Sequence, residues 1–166
     1  RKYINNYLEI GPGHGLFLKH AIEILDDNVD MVAIDISPIS LNISKSIINH
    51  FYPQKIVKYV HKDMLKINLD SKYDFIVMGE VLEHVENPQL LLNKIRKILS
   101  NSGKAFISTC VDCPAIDHIW HFHTVQEIRD MLNDCGLLIK SEKVLPVENL
   151  SMAEIVNNKI SINYSV

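Results

Sequence analysis

The sequence predicts an α/β chain: a three-layer α/β/α sandwich around a mostly parallel sheet of seven strands, the last of them antiparallel. Three observations carry that prediction. Short β-branched runs alternate with longer stretches of helical apolar spacing along the 166 residues. The connections between them are short, as in chains that wind helices around a parallel sheet. One run, Tyr73–Gly79 (YDFIVMG), is apolar on both faces, as a strand covered on both sides should be.

Each element follows in order. Tyr7–Ile10 closes a first strand at three glycines. Leu16, Phe17, Ala21, Ile24 and Leu25 then recur at helical spacing in LFLKHAIEILDD. Val29–Asp35 is a second strand, ending in an acid. Ser37 is a suitable N-cap and Pro38 a suitable first residue for a helix running to about Phe51. Lys55–Val60 is the third strand and Tyr73–Gly79 the fourth. Asn87 and Pro88 open another helix, and Gly103 is expected just past its end. Lys104–Cys110 is the fifth strand. Thr124 and Glu127 have capping-box spacing for a helix to about Cys135, which Gly136 should end. Leu137–Leu145 and Lys159–Val166 are the last strands. In the second of these, apolar Ile160, Ile162, Tyr164 and Val166 alternate with polar residues, which predicts an antiparallel strand toward an edge.

The length suits one domain, 1–166, and no repeat, linker or low-complexity tract divides it. A net charge of −3 with no basic stripe gives no electrostatic footing for nucleic acid. No apolar stretch is long enough to span a bilayer, and no signal peptide is visible. Three cysteines, an odd number, speak against a disulfide framework and for a reducing, cytoplasmic setting. Cys110 and Cys113 form a C-x-x-C that lacks the second pair of a zinc ribbon, so they are expected to be two ordinary thiols at a strand end, with no metal site. The first strand starts almost at residue 1, and an N-terminal segment is expected to be missing.

Chemistry concentrates at the strand ends. Gly11, Gly13 and Gly15 form G-x-G-x-G, one residue shorter than the dinucleotide fingerprint, and an acid, Glu9, precedes them. Glycines there let the backbone turn sharply and let a ligand approach the main chain. Asp35 ends the second strand about twenty residues later, where an acid can accept both ribose hydroxyls. Asp63 follows the third strand, placed to accept from an adenine amino group with Met64 against the ring. The plain alternatives are a tight turn for the glycines and a solvated loop acid for Asp63.

YLEIGPGHG, VAIDIS, KDM and YDFIVMGEVLEHVENP, in that order, resemble the motifs of class I S-adenosylmethionine-dependent methyltransferases, within their small-molecule, type 11/12-like group. The resemblance covers Tyr7 to Val166 and implies a Rossmann-like fold and S-adenosylmethionine as cofactor. It implies that Glu9, Gly11, Gly13 and Gly15 serve the methionine part, Asp35 and Ile36 the ribose side, and Asp63 and Met64 the adenine. Gly79 and Glu80 are implied beside the methionine moiety. The expected reaction is methyl transfer to a small-molecule acceptor, with an oxygen as the leading acceptor atom. A noncatalytic cofactor-binding module stays open, and so does a nicotinamide dehydrogenase, although the glycine spacing opposes it.

The acceptor side should involve CVDCPAIDHIWHFHTV, Cys110–Val125, where Asp117, His118, His121 and His123 gather around Trp120. His118 and His121 are the candidates for general base. Packing or capping by these histidines, and a metal role with Cys110 or Cys113, remain open alternatives. His84 is implied near the active-site mouth, helping to hold the loop before Asn87; His14 is expected to face solvent or the acceptor side. Phe51, Tyr52 and the Asp26–Asp27 pair are most simply read as ordinary helix-end residues.

Overall fold

A computed structural model describes residues 4–146, 153–154 and 162–166. Its elements are β1 (Asn6–Ile10), α1 (Leu16–Ile24), β2 (Asp30–Asp35), α2 (Pro38–Phe51), β3 (Val57–His61), β4 (Tyr73–Gly79), a 3-10 turn (Leu82–His84), α3 (Pro88–Ile98), β5 (Leu99–Val111), α4 (Val125–Asp134), β6 (Lys143–Pro146) and β7 (Ile162–Ser165). The strands form one seven-stranded sheet in the order β3-β2-β1-β4-β5-β7-β6. β1 runs parallel to β2 and β4, and β2 to β3, while β7 is antiparallel to β5 and β6. The expected Rossmann-like sandwich is therefore the fold found.

By its contacts the chain divides into two compact units, one running to Gly79 and resuming over Lys97–Phe106, the other holding Glu80–Arg96 and Ile107–Val166. In the first unit the strand order reverses at β1, which pairs with β2 on one side and β4 on the other. Such a reversal leaves a crevice at the carboxyl ends of the two diverging strands. Ile10 and Met78 are partners at those ends, so the glycine loop leaves β1 at the switch point. Burial of one sheet face explains why α1 and α2 sit where they do. Tyr7, Met31, Ala33 and Val77 point to one side and pack with Leu18 and Ala21 of α1 and Ile48 of α2. Glu9, in register with Ala33 and Val77, shares that face.

The second unit buries Leu82, Leu91, Leu92, Ile95, Phe122, Ile128, Leu132 and Tyr164. α4 begins as expected: Thr124 accepts a hydrogen bond from the Glu127 amide, and Glu127 returns one from the His123 amide. The helix ends at Gly136, whose φ of +70° is cheap only for glycine. Ser37 likewise caps α2 through the Ser40 amide, with Pro38 at its first position.

Two expectations need correction. Gly103 does not end α3; β5 starts directly at Leu99 and Gly103 lies within it. A Cβ there would stand 2.8 Å from the Tyr73 carbonyl oxygen, so glycine serves close backbone approach rather than a cap. The last strand stands toward one edge, as expected, and runs antiparallel to both of its neighbours. β7 lies between β5 and β6, with Tyr164 fully buried and its hydroxyl donating to Glu142 at 2.8 Å. Its polar positions are partly covered rather than solvated, which alternation alone does not distinguish. β6 (Lys143–Pro146) is the edge strand, and it takes up only the last three residues of the expected Leu137–Leu145 run. Lys159, Ile160 and Ser161 of the expected last strand lie outside the described residues.

Candidate functional site

The loop after β1 is built by conformation. Gly11, Gly13 and Gly15 all have positive φ, at 66°, 52° and 80°. That left-handed region costs an L-residue about 1–2 kcal/mol each. The Gly11 amide donates to the Ile34 carbonyl and the Gly15 amide to the Pro12 carbonyl, which curls the loop onto the end of β2. Space differs along it. A Cβ on Gly13 would meet nothing within 4 Å, whereas one on Gly15 would come 2.6 Å from the Ser44 hydroxyl. Gly15 is also the N-cap of α1, and no side chain caps that helix. Its first amides are therefore available to an anionic group, which the helix dipole favours.

Glu9 stands at the same strand end and is 1% exposed. Tyr7 donates its hydroxyl to Glu9 Oε2 at 2.6 Å, while Oε1 is buried with no hydrogen-bond partner among the described residues. Burial pushes the carboxyl up to about 7; the Tyr7 hydroxyl and the Leu18 backbone N–H only moderate that rise. An unpaired buried carboxylate oxygen costs free energy unless something cationic or hydrogen-bonding meets it.

Asp35 ends β2 beside His61 at the end of β3. Its Oδ1 accepts from the Ser37 amide at 2.8 Å, leaving Oδ2 without a hydrogen-bond partner among the described residues. Ile36 follows with 68% of its surface exposed, an unusual setting for isoleucine and an open face for a flat ring. The Lys62 amide donates to the Asp35 carbonyl, which draws the Asp63 loop to this edge. Asp63 already has local work: Oδ1 accepts from the Leu65 amide at 2.8 Å and Oδ2 lies 3.3 Å from Lys66 Nζ. Met64 is buried. Gly79 also has a reason that its motif hides. A Cβ there would stand 2.5 Å from the Phe17 ring, so glycine is needed for that contact.

In the second unit, Glu80 is held in the left-handed region at φ 52°. Its amide donates to the Ser108 carbonyl, and its Oε1 accepts from Ser108 Oγ at 2.7 Å and Asn163 Nδ2 at 2.8 Å. Strain of this kind, kept by three hydrogen bonds, marks a position held for a purpose. Glu83 is 1% exposed and accepts from Thr109 Oγ1 at 2.7 Å; burial is the main cause that raises its carboxyl pKa. Its carbonyl accepts the amides of Ile119 and Trp120, pinning the loop that carries the candidate histidines.

That loop does not assemble as the sequence suggested. His118 meets His84, their rings edge to face at 5.0 Å, and His84 Nδ1 lies 2.9 Å from the Asp117 carbonyl oxygen. His118 Nδ1 donates to the Cys113 carbonyl at 2.6 Å and lies 3.8 Å from Cys110 Sγ. His121 is exposed with no side-chain partner among the described residues, and His123 instead faces Asp112 at 3.6 Å. The structure thus gathers His84, Asp117 and His118 with the two thiols, and leaves His121 and His123 apart. Sequence reasoning gave Glu83 no role. Its only sign was an acid inside the apolar run VLEHV.

The first-unit residues fit a ligand with a cationic amino-acid end, a carboxylate and a ribose. Glu9 offers an orphaned oxygen to the cation, α1 offers amides to the carboxylate, and Asp35 offers a free oxygen to the diol. A doubly wound sheet with these groups at its switch point is that of a class I S-adenosylmethionine-dependent methyltransferase, with S-adenosylmethionine as cofactor.

The chain belongs to the methyltransferase-domain family, whose profile matches residues 2–142. It is 30% identical to a ubiquinone biosynthesis O-methyltransferase of Rickettsia typhi, over 95% of this chain and 70% of that protein. Other relatives of the same description match 61% of this chain and under half of their own length. Among solved structures, an S-adenosylmethionine-dependent methyltransferase of Aquifex aeolicus superposes with a TM-score of 0.69 at 18% identity, covering 96% of this chain and 80% of that one. An O-methyltransferase from a trans-AT PKS multienzyme of Brevibacillus brevis, in complex with S-adenosylhomocysteine, superposes with a TM-score of 0.72 at 19% identity, covering 98% and 65%. These two likenesses establish the fold. Among the described residues no helix is long and apolar enough to cross a membrane.

Proposed function

We propose that this chain transfers a methyl group to an oxygen atom of a small-molecule acceptor. The observation that carries the acceptor atom is the match over 95% of the chain to a protein described as an O-methyltransferase. The sulfonium of the bound cofactor supplies an activated methyl group, open to in-line displacement. The chain's residues then have three tasks: hold the cofactor, orient the acceptor oxygen, and accept a proton if that oxygen is a hydroxyl. Glu9, the glycine loop, Asp35 and Ile36 hold the cofactor in this reading, with Met64 and Asp63 toward the base and Gly79 and Glu80 closing the set. His118 is the proposed proton acceptor. Its Nδ1–H donates to the Cys113 carbonyl, so Nε2 keeps its lone pair. His121, exposed and unengaged, is the second candidate and would act on the acceptor from solvent.

The test is turnover with methyl-labelled cofactor against a panel of phenols, enols and carboxylic acids, with amines as controls. Formation of S-adenosylhomocysteine together with a methyl ether or ester is the expected result. Label found only on nitrogen would overturn the acceptor atom. The cofactor half has its own test. Asp35→Ala should weaken cofactor binding at least about tenfold by calorimetry, since each hydrogen bond to a charged group is worth about 1.5–3 kcal/mol. Asp35→Asn keeps an oxygen for the Ser37 amide, and it should still bind weakly if the lost charge is what matters. Unchanged affinity in both variants would remove Asp35 from the ribose site.

A further inference from the structure

Two cysteines and a histidine of the second unit come together at the end of β5. Cys110 Sγ, Cys113 Sγ and a ring nitrogen of His118 all lie within 4.8 Å of one another. Cys110 is at the end of β5 and Cys113 two residues beyond it. The turn between them is fixed by Asp112, a non-glycine residue held at φ +49°, whose amide donates to the Phe122 carbonyl. His118 arrives on a tight turn, its amide donating to the Ala115 carbonyl. Backbone geometry rather than side-chain chance therefore sets all three donors.

The distances suit a small cation. A tetrahedral centre with metal–sulfur bonds of about 2.3 Å and metal–nitrogen bonds of about 2.1 Å separates its sulfur and nitrogen ligands by about 3.6 Å. Cys110 Sγ and His118 Nδ1 are 3.8 Å apart. The charge around them has the right sign. Glu83 is buried, shares a 4.8 Å cluster with Glu80 and Cys110, and shares another with His84 and His118. Glu83 accepts from the Thr109 hydroxyl, and the groups clustered with it are Glu80, Cys110, His84 and His118, with no lysine or arginine paired to it among the described residues. Buried carboxylates usually sit beside a cation, and a bound metal ion would be one.

We propose that Cys110, Cys113 and His118 form a binding site for one thiophilic divalent cation of the Zn2+ class, whose charge the two thiolates balance, with the Glu83 carboxyl group nearby. Two thiolates and one imidazole match the preference of soft ions and disfavour Mg2+ or Ca2+. Three protein donors leave a fourth position open. Binding replaces the thiol protons of Cys110 and Cys113, and the His118 ring turns its donor nitrogen from the Cys113 carbonyl to the metal. A cation held this way engages the imidazole that the methyl-transfer reading uses as a base. Binding itself is measured without turnover, so failure of the site and failure of that reading are distinguishable.

The experiment uses the full chain, reduced, stripped with chelator and kept anaerobic. Titration with Co2+ should show one equivalent bound, with the intense near-ultraviolet thiolate-to-cobalt absorption and the visible bands of a tetrahedral ion; Zn2+ should then displace it. Cys113→Ser, at a partly exposed position, should abolish the thiolate absorption or cut its intensity by about half. It should also weaken Zn2+ at least about a hundredfold, more than the loss of an outer-shell partner costs. Circular dichroism of that variant checks that it is folded. His118→Ala should shift the visible bands as nitrogen leaves the coordination sphere. No cobalt–thiolate absorption in the reduced protein would overturn the proposal. So would Zn2+ affinity that survives Cys113→Ser, which would place the ion on the carboxylates alone.

Discussion

Two loops of this chain leave strand ends, and they are built on opposite principles. The loop after β1 is made of backbone: three left-handed glycines, one internal amide–carbonyl bond, a second to the end of β2, and an uncapped helix start. The loop after β5 is held by side chains and by a remote segment: its Cys113 and His118 cluster with Cys110 of the strand and His84 of the 3-10 turn, and the Glu83 carbonyl pins its backbone. The first can only be changed by changing what a residue's φ permits. The second can be changed by removing a single functional group. What differs is the kind of ligand each can select. A backbone cradle reads a ligand's shape and its ends, whereas a side-chain cluster supplies protons, charge or coordination.

The largest effect should separate the loops by what they do. If the β5 loop supplies the base for a hydroxyl acceptor, His118→Ala should lower turnover about 10²–10⁴-fold in chelator-treated protein. Cofactor affinity should stay near that of the wild type. The acidic limb of the pH–rate profile should vanish in the variant, and His121→Ala should retain it. Equal losses in turnover and cofactor affinity would mean that the two loops do not divide the work this way.

Next in size is the pH response of the β1 end. Glu9 in the folded chain titrates at about 7 against a usual 4.5, so the folded state holds a proton that the unfolded chain has released between those values. The stability that this proton contributes is present below about pH 4.5 and is lost as pH rises through about 7. The loss is on the order of 3 kcal/mol at about 1.4 kcal/mol per pH unit. Denaturant unfolding of Glu9→Gln should show a flatter pH dependence across that window. In the wild type a cationic ligand facing Glu9 favours its ionised form, so cofactor binding should tighten with pH. A cofactor affinity without pH dependence would take Glu9 away from the cationic end.

Smaller effects test the backbone cradle itself. Gly15→Ala combines a φ of 80° with a Cβ 2.6 Å from the Ser44 hydroxyl. It should cost about 1–3 kcal/mol in unfolding free energy from backbone strain, with the crowding added. Gly13→Ala meets open space at φ 52°, and it should cost only the conformational penalty of about 1–2 kcal/mol. Its larger effect should fall on cofactor affinity, because the open space is where a ligand would lie. Equal losses of stability in the two variants would show that strain alone, not contact with Ser44, sets the difference between these glycines.

The sequence by itself determined the elements and their order, because these follow from local rules. Apolar spacing, the Ser37–Pro38 and Thr124 helix starts and the glycine at 136 act within a few residues of themselves. It also marked the candidate cofactor residues, since Glu9, the glycines and Asp35 stand at strand ends that are recognisable one at a time. Only the tertiary structure decided where those strands stand. β7 became an inner strand because Tyr164 is buried with its hydroxyl on Glu142, 22 positions away, and nothing in its alternation encodes that distance. Gly103 and Gly79 are glycines because of Tyr73 and Phe17, contacts between segments remote in sequence. The histidines of Asp117–His123 were legible as a cluster, yet their partners were not. His118 finds His84 and Cys110, and His121 finds solvent, because the Glu83 carbonyl holds the chain between them. A backbone hydrogen-bond acceptor from a different segment pins the chain between the two imidazoles, and that information exists only once the chain has folded.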